Sequence, residues 1–169
     1  MRTKKKDRGW GDAPYEPWSE IAPGLWMGGH EYIGLDGLWA MAVPGTEFGA
    51  VYSLHSREGH GPDPGIEHHV LEVPDDTLTA AQILAVHDFA LSAARSWRDD
   101  RTVLVRCRAG LNRSGLVVAQ VLIHHGWTVD DAVALIRERR SPNALNNEVF
   151  VEYLTTGLEL SAELTALSS

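Results

Sequence analysis

The only cysteine of this chain stands in the segment VRCRAGLNRSG, residues 105–115, between an apolar run and a loop that contains a glycine. Residues 108–113 follow it, and each has a backbone N–H group because none is proline. Gly110 permits a positive φ, which would let the chain turn these N–H groups inward as a concave nest. A nest at the start of a helix binds a tetrahedral oxyanion. The predicted phosphate-binding residues are therefore Arg108, Ala109, Gly110, Leu111, Asn112 and Arg113.

Cys107 and Arg113 are the residues of this segment whose chemistry suits a phosphate ester. Cys107 would lie below the loop, near the positive end of the following helix, where the thiolate is favoured and acts as a nucleophile at neutral pH. Arg113 would close the loop and hold two phosphate oxygens in bidentate fashion. A single cysteine after an apolar strand is often only a small core residue. That alternative does not explain the C-x5-R-S spacing, so the pattern favours a nucleophile.

Apolar periodicity predicts the elements that would position this loop. The run RTVLVRC, residues 101–107, is rich in β-branched residues and predicts a buried strand. The run that begins at Arg113 predicts a core helix that ends at Gly126. A helix before the strand is predicted from Thr79, which forms a capping-box pair with Gln82 and is followed by apolar residues at helical spacing.

The remaining segments complete an α/β pattern. Shorter apolar runs predict strands at 25–29, 48–54 and 66–73, and residues 55–65 are predicted to be a loop that could form a substrate rim. Strands that alternate with helices predict a single-domain α/β fold. Its central mixed sheet would have about four to five strands flanked by helices, with the phosphate-binding loop between a buried strand and a core helix.

Two further helices are predicted, one capped by Thr128 and one from Asn146 to Leu164. Arginines in the last turn of the first helix suit its dipole and are predicted to form a solvated face. They are Arg137, Arg139 and Arg140. The six tryptophans are interpreted as packing residues of the core and of the N-terminal lead-in rather than as a platform for nucleic-acid bases.

Composition and charge restrict the class of protein. The 169 residues are 44% hydrophobic, yet no apolar run approaches the roughly 18 residues of a membrane-spanning helix, and the N-terminus lacks a signal-peptide core. A single cysteine cannot form an intrachain disulfide, so we expect a cytoplasmic protein. Residues 1–17 are predicted to be a basic, flexible tail, and 18–169 the catalytic domain. The net charge of −8 argues against broad nucleic-acid binding.

No metal or cofactor is predicted. His68 and His69 are neighbours on a predicted strand, so their side chains would point to opposite faces. His124 and His125 are likewise adjacent at a helix end rather than one turn apart.

The chain is similar to a known family in the segments just described. Residues 107–114 match the C-x5-R-[ST] signature of the cysteine-dependent protein tyrosine phosphatase superfamily, and the whole chain resembles its dual-specificity branch. The resemblance covers about residues 18–160. IAPGLWMGG resembles the opening strand of that branch, VPDDT its acid loop, and AVALIRERRSPNALNNEVFVEYL its two C-terminal helices.

The resemblance implies a role for each matched residue. Cys107 would attack phosphorus and form a phosphocysteine intermediate, and Arg113 would stabilise the equatorial oxygens together with the loop amides. Ser114 would donate a hydrogen bond to the sulfur. An aspartate of the acid loop would be the general acid. Both Asp75 and Asp76 are candidates, and the 31-residue spacing to the cysteine favours Asp76.

The main departure from the family is Arg106, which stands where the family usually has histidine directly before the cysteine. Its permanent charge could keep the thiolate favoured, although its packing must differ from that of histidine. This departure leaves open a weakly active phosphate-binding module as an alternative to an enzyme.

The resemblance implies a phosphatase that hydrolyses phosphomonoesters, above all protein phosphotyrosine, and also phosphoserine or phosphothreonine. The short chain before the acid loop implies a shallow pocket. Within the same superfamily, GLNRSG is also similar to the G-x-N-R-[ST]-G segment of RNA 5′-triphosphatases, and phosphoinositide phosphatases are relatives. The expected partner is a phosphorylated protein or another phosphomonoester, with nucleic acid only as an RNA 5′-end substrate.

Overall fold

The computed structural model describes residues 14–168 of the chain. This part contains a sheet of five strands, a separate hairpin of two strands, and five helices. In chain order they are β1 (Trp18–Ala22), β2 (Leu25–Gly29), β3 (Glu31–Ile33), β4 (Trp39–Met41), β5 (Ala50–Ser53), β6 (Glu67–Val70), α1 (Ala80–Arg98), β7 (Val103–Cys107), α2 (Arg113–His124), α3 (Val129–Arg139), α4 (Glu148–Thr156) and α5 (Leu158–Leu167). The predicted α/β fold with a mixed sheet of four to five strands is confirmed.

The sheet has the order β1–β2–β7–β5–β6 and places the nucleophile candidate at its centre. β1 is antiparallel to β2, whereas β2, β7, β5 and β6 run parallel to one another. All five residues of β7 are buried, as expected of a central strand covered on both faces. Because the carboxyl ends of parallel strands meet at one edge of the sheet, the segments after β2, β5, β6 and β7 converge there.

Helix α2 is the core helix that follows the loop. Every residue from Ser114 to Leu122 is buried, which is typical of a helix that is apolar on all sides. It packs against both α1 and α3. Helix α1 begins with the predicted capping box, in which Thr79 Oγ1 accepts from the Gln82 amide and the Gln82 side chain accepts from the Thr79 amide.

A smaller apolar cluster covers the other face of the sheet. Phe48, Val51 and Leu104 form its buried part, and Trp18 and Trp26 pack edge-on against Phe48. The expectation that tryptophans serve as packing residues is met at these positions. Trp39 and Trp127, by contrast, are 41% and 39% exposed.

Three details of the fold differ from the prediction. The single helix expected from Asn146 to Leu164 is wrong, since Gly157 takes a φ of 95° and separates α4 from α5. The hairpin of β3 and β4 and the strand β1 were not expected, because short strands with few β-branched residues give little sequence signal.

The predicted N-terminal tail lies mostly outside the described residues, and its boundary at residue 17 stays a prediction. Within the described part, the carbonyls of Pro14 and Pro17 accept hydrogen bonds from the amides of Ile33 and Gly29. None of the helices in this part of the chain is both long and apolar enough to cross a membrane.

Candidate active site

Cys107 ends β7, and α2 begins at Arg113, so residues 108–112 form the connecting loop that the sequence predicted, which we call the anion loop. The loop turns at Gly110, whose φ is 72°. A β-carbon at this position would lie 2.5 Å from the carbonyl carbon of Gly28 and 2.5 Å from Arg140 Nη2. Both the positive φ and the lack of space therefore require glycine here.

The cysteine thiol lies buried beneath this loop. Cys107 is 3% exposed, and its Sγ atom is 3.3 Å from the hydroxyl oxygen of Ser114, which is fully buried. Ser114 is in the first turn of α2, so the thiol faces the positive end of that helix dipole. The structure therefore brings these two predicted site residues together, and their roles stay a prediction.

Arg113 stands where the loop meets α2 and reaches across to the predicted acid loop. Its Nη1 atom donates a hydrogen bond to the carbonyl oxygen of Val73 at 3.1 Å. Val73 is two residues from Asp75, so the guanidinium links the anion loop to the segment that carries both aspartates. A phosphate in the loop would meet the remaining N–H groups of Arg113.

The two aspartates differ in what they contact. Asp75 accepts hydrogen bonds from the side-chain amides of Asn112, at 3.1 Å, and Asn147, at 2.9 Å. Asn112 is itself a residue of the anion loop, so the Asp75 carboxylate lies beside that loop. Asp76 is exposed, and its Oδ1 atom accepts from the backbone amide of Thr77 at 2.8 Å.

Arg140 is a component of the site that the sequence did not reveal. It is 7% exposed, so the predicted solvated face is wrong for this residue. Its Nε donates to the carbonyl oxygen of Gly110 at 3.1 Å and its Nη2 to that of Ala109 at 3.5 Å, while Nη1 donates to Glu16 O at 2.8 Å and Ser19 Oγ at 3.2 Å. Arg140 therefore fixes the outer, carbonyl side of the loop.

The charge of Arg140 is coupled to that of the nucleophile. Burial lowers the pKa of Arg140 to about 10, and the negative charge of Cys107 opposes this shift. The guanidinium stays protonated at neutral pH and contributes a positive charge near the Cys107 sulfur. A sequence signal for its burial existed, because Ala132, Ile136 and Arg140 lie four residues apart, and the first two face the core.

The other two arginines of that helix end differ from Arg140. Arg137 and Arg139 are exposed, as the prediction of a solvated face requires. The guanidinium of Arg137 is nevertheless engaged, since its Nε donates to Ala144 O at 3.0 Å and its Nη2 to Leu145 O at 3.1 Å.

The histidines of the described residues do not form a metal site. No group of three or more His, Cys, Asp or Glu residues in residues 14–168 is placed to hold a metal ion. His68 lies 2.7 Å from Ser53 Oγ through its Nε2 atom, whereas His69 stacks on the ring of Tyr52. The adjacent pair thus has separate surroundings, as their alternation along a strand predicted.

Comparison with known proteins identifies the class. Residues 67–156, more than half of the chain, match the family described as the catalytic domain of dual specificity phosphatases. The chain therefore belongs to the dual-specificity phosphatase family of the cysteine-dependent protein tyrosine phosphatase superfamily. It is a hydrolase of the protein tyrosine and dual-specificity phosphatase type, as the sequence predicted.

Solved structures share the fold. A mouse putative dual specificity phosphatase, in complex with zinc tungstate, is 24% identical with a TM-score of 0.59, covering 92% of this chain and 93% of its own. Human DUSP28 is 19% identical with a TM-score of 0.62, covering 88% and 96%. A human tyrosine phosphatase-like serine/threonine/tyrosine-interacting protein is 20% identical with a TM-score of 0.55, covering 89% and 97%.

No curated protein matches the chain in a sequence search. The findings do not favour the RNA 5′-end or phosphoinositide alternatives.

Proposed function

We propose that this phosphatase cleaves protein phosphotyrosine, and phosphoserine or phosphothreonine as further substrates, by covalent catalysis at Cys107. The observation that carries the proposal is the buried Cys107 thiol 3.3 Å from Ser114 Oγ, below a loop that Gly110 turns and Arg140 holds. In this arrangement the amides of residues 108–113 are available to a phosphate directly above the sulfur.

In the first step the Cys107 thiolate attacks phosphorus, a sulfur–phosphorus bond forms and the bond to the leaving oxygen breaks. The loop amides and Arg113 stabilise the charge that spreads over the three equatorial oxygens. A carboxylic acid of the 75–76 pair gives its proton to the leaving oxygen, which departs as the hydroxyl of tyrosine or serine.

In the second step a water molecule attacks phosphorus, and the same carboxylate takes its proton. The sulfur–phosphorus bond breaks, inorganic phosphate leaves and Cys107 returns to the thiolate. Ser114 keeps its hydrogen and donates a hydrogen bond to the departing sulfur, where negative charge develops. This contact stabilises the thiolate as a leaving group.

The choice of general acid rests on position and on sequence spacing, which support different residues. Asp75 lies against the loop through Asn112, and a general acid must first be within reach of the leaving oxygen. The spacing to Cys107 favours Asp76, whose exposed carboxylate accepts a hydrogen bond from the adjacent Thr77 amide. We assign the role to Asp75 on position, with Asp76 as the competing assignment.

The first experiment is a substrate panel with the purified full chain. A phosphotyrosine peptide, phosphoserine and phosphothreonine peptides, a phosphoinositide and a 5′-triphosphorylated RNA are compared by phosphate release, in the presence of a metal chelator. We expect the phosphotyrosine peptide to have the highest kcat/KM. A higher value for the lipid or the RNA would overturn the assignment of a protein substrate.

We propose a cytoplasmic location on the grounds of the single cysteine, which cannot form an intrachain disulfide. Fractionation of cells that express the full chain with a C-terminal epitope tests it. Recovery of the protein with the secreted or envelope fraction would contradict it.

A further inference from the structure

A charged side chain is buried directly before the nucleophile, and its hydrogen bonds lead away from the anion loop. Arg106 is 1% exposed. Its Nε donates to Ser53 Oγ at 2.9 Å, and its Nη1 and Nη2 donate to the backbone carbonyls of His60 and Gly61, both at 2.7 Å. All three acceptors are neutral oxygens, and two of them belong to the 55–65 loop. Adjacent side chains on a strand point to opposite faces, so Arg106 lies on the other face of β7 from Cys107.

None of the ion pairs within residues 14–168 involves Arg106. Burial lowers the pKa of this guanidinium to about 10, so it remains charged at neutral pH. Its ionisable neighbours are His30, His60 and His68, and in each of them burial and the charge of Arg106 lower the pKa. The charge is therefore stabilised by the dipoles of the loop carbonyls, which requires that the loop keep its position.

His30 also contacts the 55–65 loop and the backbone at the nucleophile. Its backbone amide lies 3.0 Å from Cys107 O and 2.8 Å from Arg108 O, and its ring Nε2 lies 2.6 Å from His55 O. Because a carbonyl oxygen only accepts, Nε2 carries the hydrogen, and the neutral ring accepts at Nδ1 from His60 Nδ1 at 3.3 Å. The 55–65 loop is thus bonded to Arg106 through the carbonyls of His60 and Gly61. It is bonded to His30 through His55 and His60.

The loop that is held in this way borders the anion loop. Burial, followed by the charges of Arg113 and Arg108, lowers the pKa of His55, so this ring lies within electrostatic reach of both arginines. Arg57 of the same loop donates to Glu31 at 2.8 Å, and Glu31 lies 3.8 Å from Arg108 Nε. A phosphopeptide with its phosphate in the anion loop would therefore rest its neighbouring residues against the segment 55–57.

We propose that Arg106 is a positioning residue that fixes the 55–65 loop as a wall of the substrate cleft and thereby acts on peptide binding rather than on the reactivity of Cys107. The inference rests on the proposed phosphopeptide activity. The three nitrogens of the planar guanidinium each bond one of these oxygens, two carbonyls and one hydroxyl, whereas the lysine ammonium carries its three donors on one nitrogen and does not reproduce this spacing. The fork of donors, rather than the charge alone, is the required feature.

The test compares Arg106→Lys, which keeps the charge, and Arg106→Met, which keeps much of the volume, with the wild type. Arg101→Met is the matched control, because Arg101 also binds a backbone carbonyl, that of Gly49, but lies before the other end of β7. Each protein is assayed for kcat and KM on a phosphotyrosine peptide and on a small aryl phosphate. The pH dependence of thiol alkylation and the rate of tryptic cleavage after Arg57 are measured in parallel.

We expect both Arg106 variants to raise the KM for the peptide about tenfold with little change in kcat, the signature of lost substrate binding. The small aryl phosphate, which does not reach the wall, should show a smaller rise. The thiol pKa should stay at its wild-type value, and cleavage after Arg57 should accelerate. Arg101→Met should leave all of these quantities as in the wild type.

If Arg106→Lys has the same KM for the peptide as the wild type, the charge alone suffices and the proposal is overturned. A raised thiol pKa with an equal loss of kcat on both substrates would also overturn it. If Arg106→Met fails to fold, Ser53→Ala removes the acceptor of one of the three bonds, and a smaller rise in peptide KM is then expected, whereas an unchanged KM contradicts the proposal. If the wild type cleaves neither substrate, the proposed function fails, and the tryptic assay still decides whether Arg106 fixes the loop.

Discussion

Arg140 Nε donates a hydrogen bond to the carbonyl oxygen of Gly110 over 3.1 Å, from a position at the end of α3 that is 7% exposed. The C=O and N–H bonds at a planar peptide unit point in opposite directions. Holding the carbonyls of Ala109 and Gly110 on one side therefore leaves the N–H groups of the following residues directed to the other side, where the phosphate would bind. Arg140, which stands 33 positions after the nucleophile, therefore sets the direction in which the N–H groups of the anion loop point.

Replacing Arg140 should accordingly lower catalytic activity, because Arg140 acts through the anion loop rather than by contact with the substrate. We expect Arg140→Met to lower kcat/KM for every phosphomonoester by about 10²-fold, the size of effect found when an oxyanion donor is lost. Steady-state kinetics on a small aryl phosphate measures it. Arg139→Met is the control, because Arg139 is exposed, and its kinetics should match those of the wild type. Equal behaviour of the two variants would contradict a role for Arg140 in shaping the loop.

Cys107→Ser tests the nucleophile. The hydroxyl that replaces the thiol is a poor nucleophile at neutral pH, so turnover should fall below detection. The loop amides and Arg113 remain, so binding of inorganic phosphate or vanadate should persist, measured by calorimetry or as protection against thermal unfolding. Turnover by the serine variant near that of the wild type would exclude the covalent mechanism.

Variants of Asp75 and Asp76 test which of the two residues is the general acid. Positioned acid catalysis is worth roughly 10²- to 10⁴-fold, and it matters most for a poor leaving group. Asp75→Asn should therefore slow hydrolysis of an alkyl or phenyl phosphate by about that factor, and an activated aryl phosphate by much less. It should also flatten the basic limb of the pH–rate profile.

Asp76→Asn serves as the matched partner in this comparison and should show neither effect. If the two variants exchange their behaviour, Asp76 is the acid, as the spacing favours. A loss in Asp75→Asn of the same size for every leaving group would indicate that Asp75 only holds Asn112 and Asn147 in place.

The buried His30 should make stability fall in acid. Burial, and then the charge of Arg106, lowers the pKa of His30 from 6.5 to about 3. Between these values the unfolded chain binds a proton at this site that the folded chain does not. The contribution of His30 to the free energy of unfolding therefore has its full value above pH 6.5 and decreases as the pH falls towards 3. Urea denaturation midpoints between pH 7 and pH 4 would measure it.

The control is His30→Gln, in which an amide replaces the titrating ring. Its midpoint should change less between pH 7 and pH 4 than that of the wild type. Parallel curves for the two proteins would show that His30 does not contribute to the acid sensitivity.

The residues 107–114 could be identified from the sequence because their chemistry and spacing are local. A thiol, six amides, a glycine and an arginine within one strand–loop–helix junction fix both the ligand class and the fold class, and the alternation of strands and helices around them fixes the α/β architecture. Gly110 was identifiable for the same reason, since a tight turn of the chain needs positive φ whatever surrounds it.

Contacts between residues far apart in the chain were decided only by the tertiary structure. Arg106 stands two residues before Arg108, and Arg140 directly follows Arg139, yet folding buries Arg106 and Arg140 against backbone carbonyls of two different loops. Asp75 and Asp76 are adjacent and chemically identical, and only the approach of Asn112 and Asn147 distinguishes them. Helical spacing indicates that Arg140 lies on a buried face, but the distant carbonyls and amides that a buried charge contacts are decided only when the chain folds.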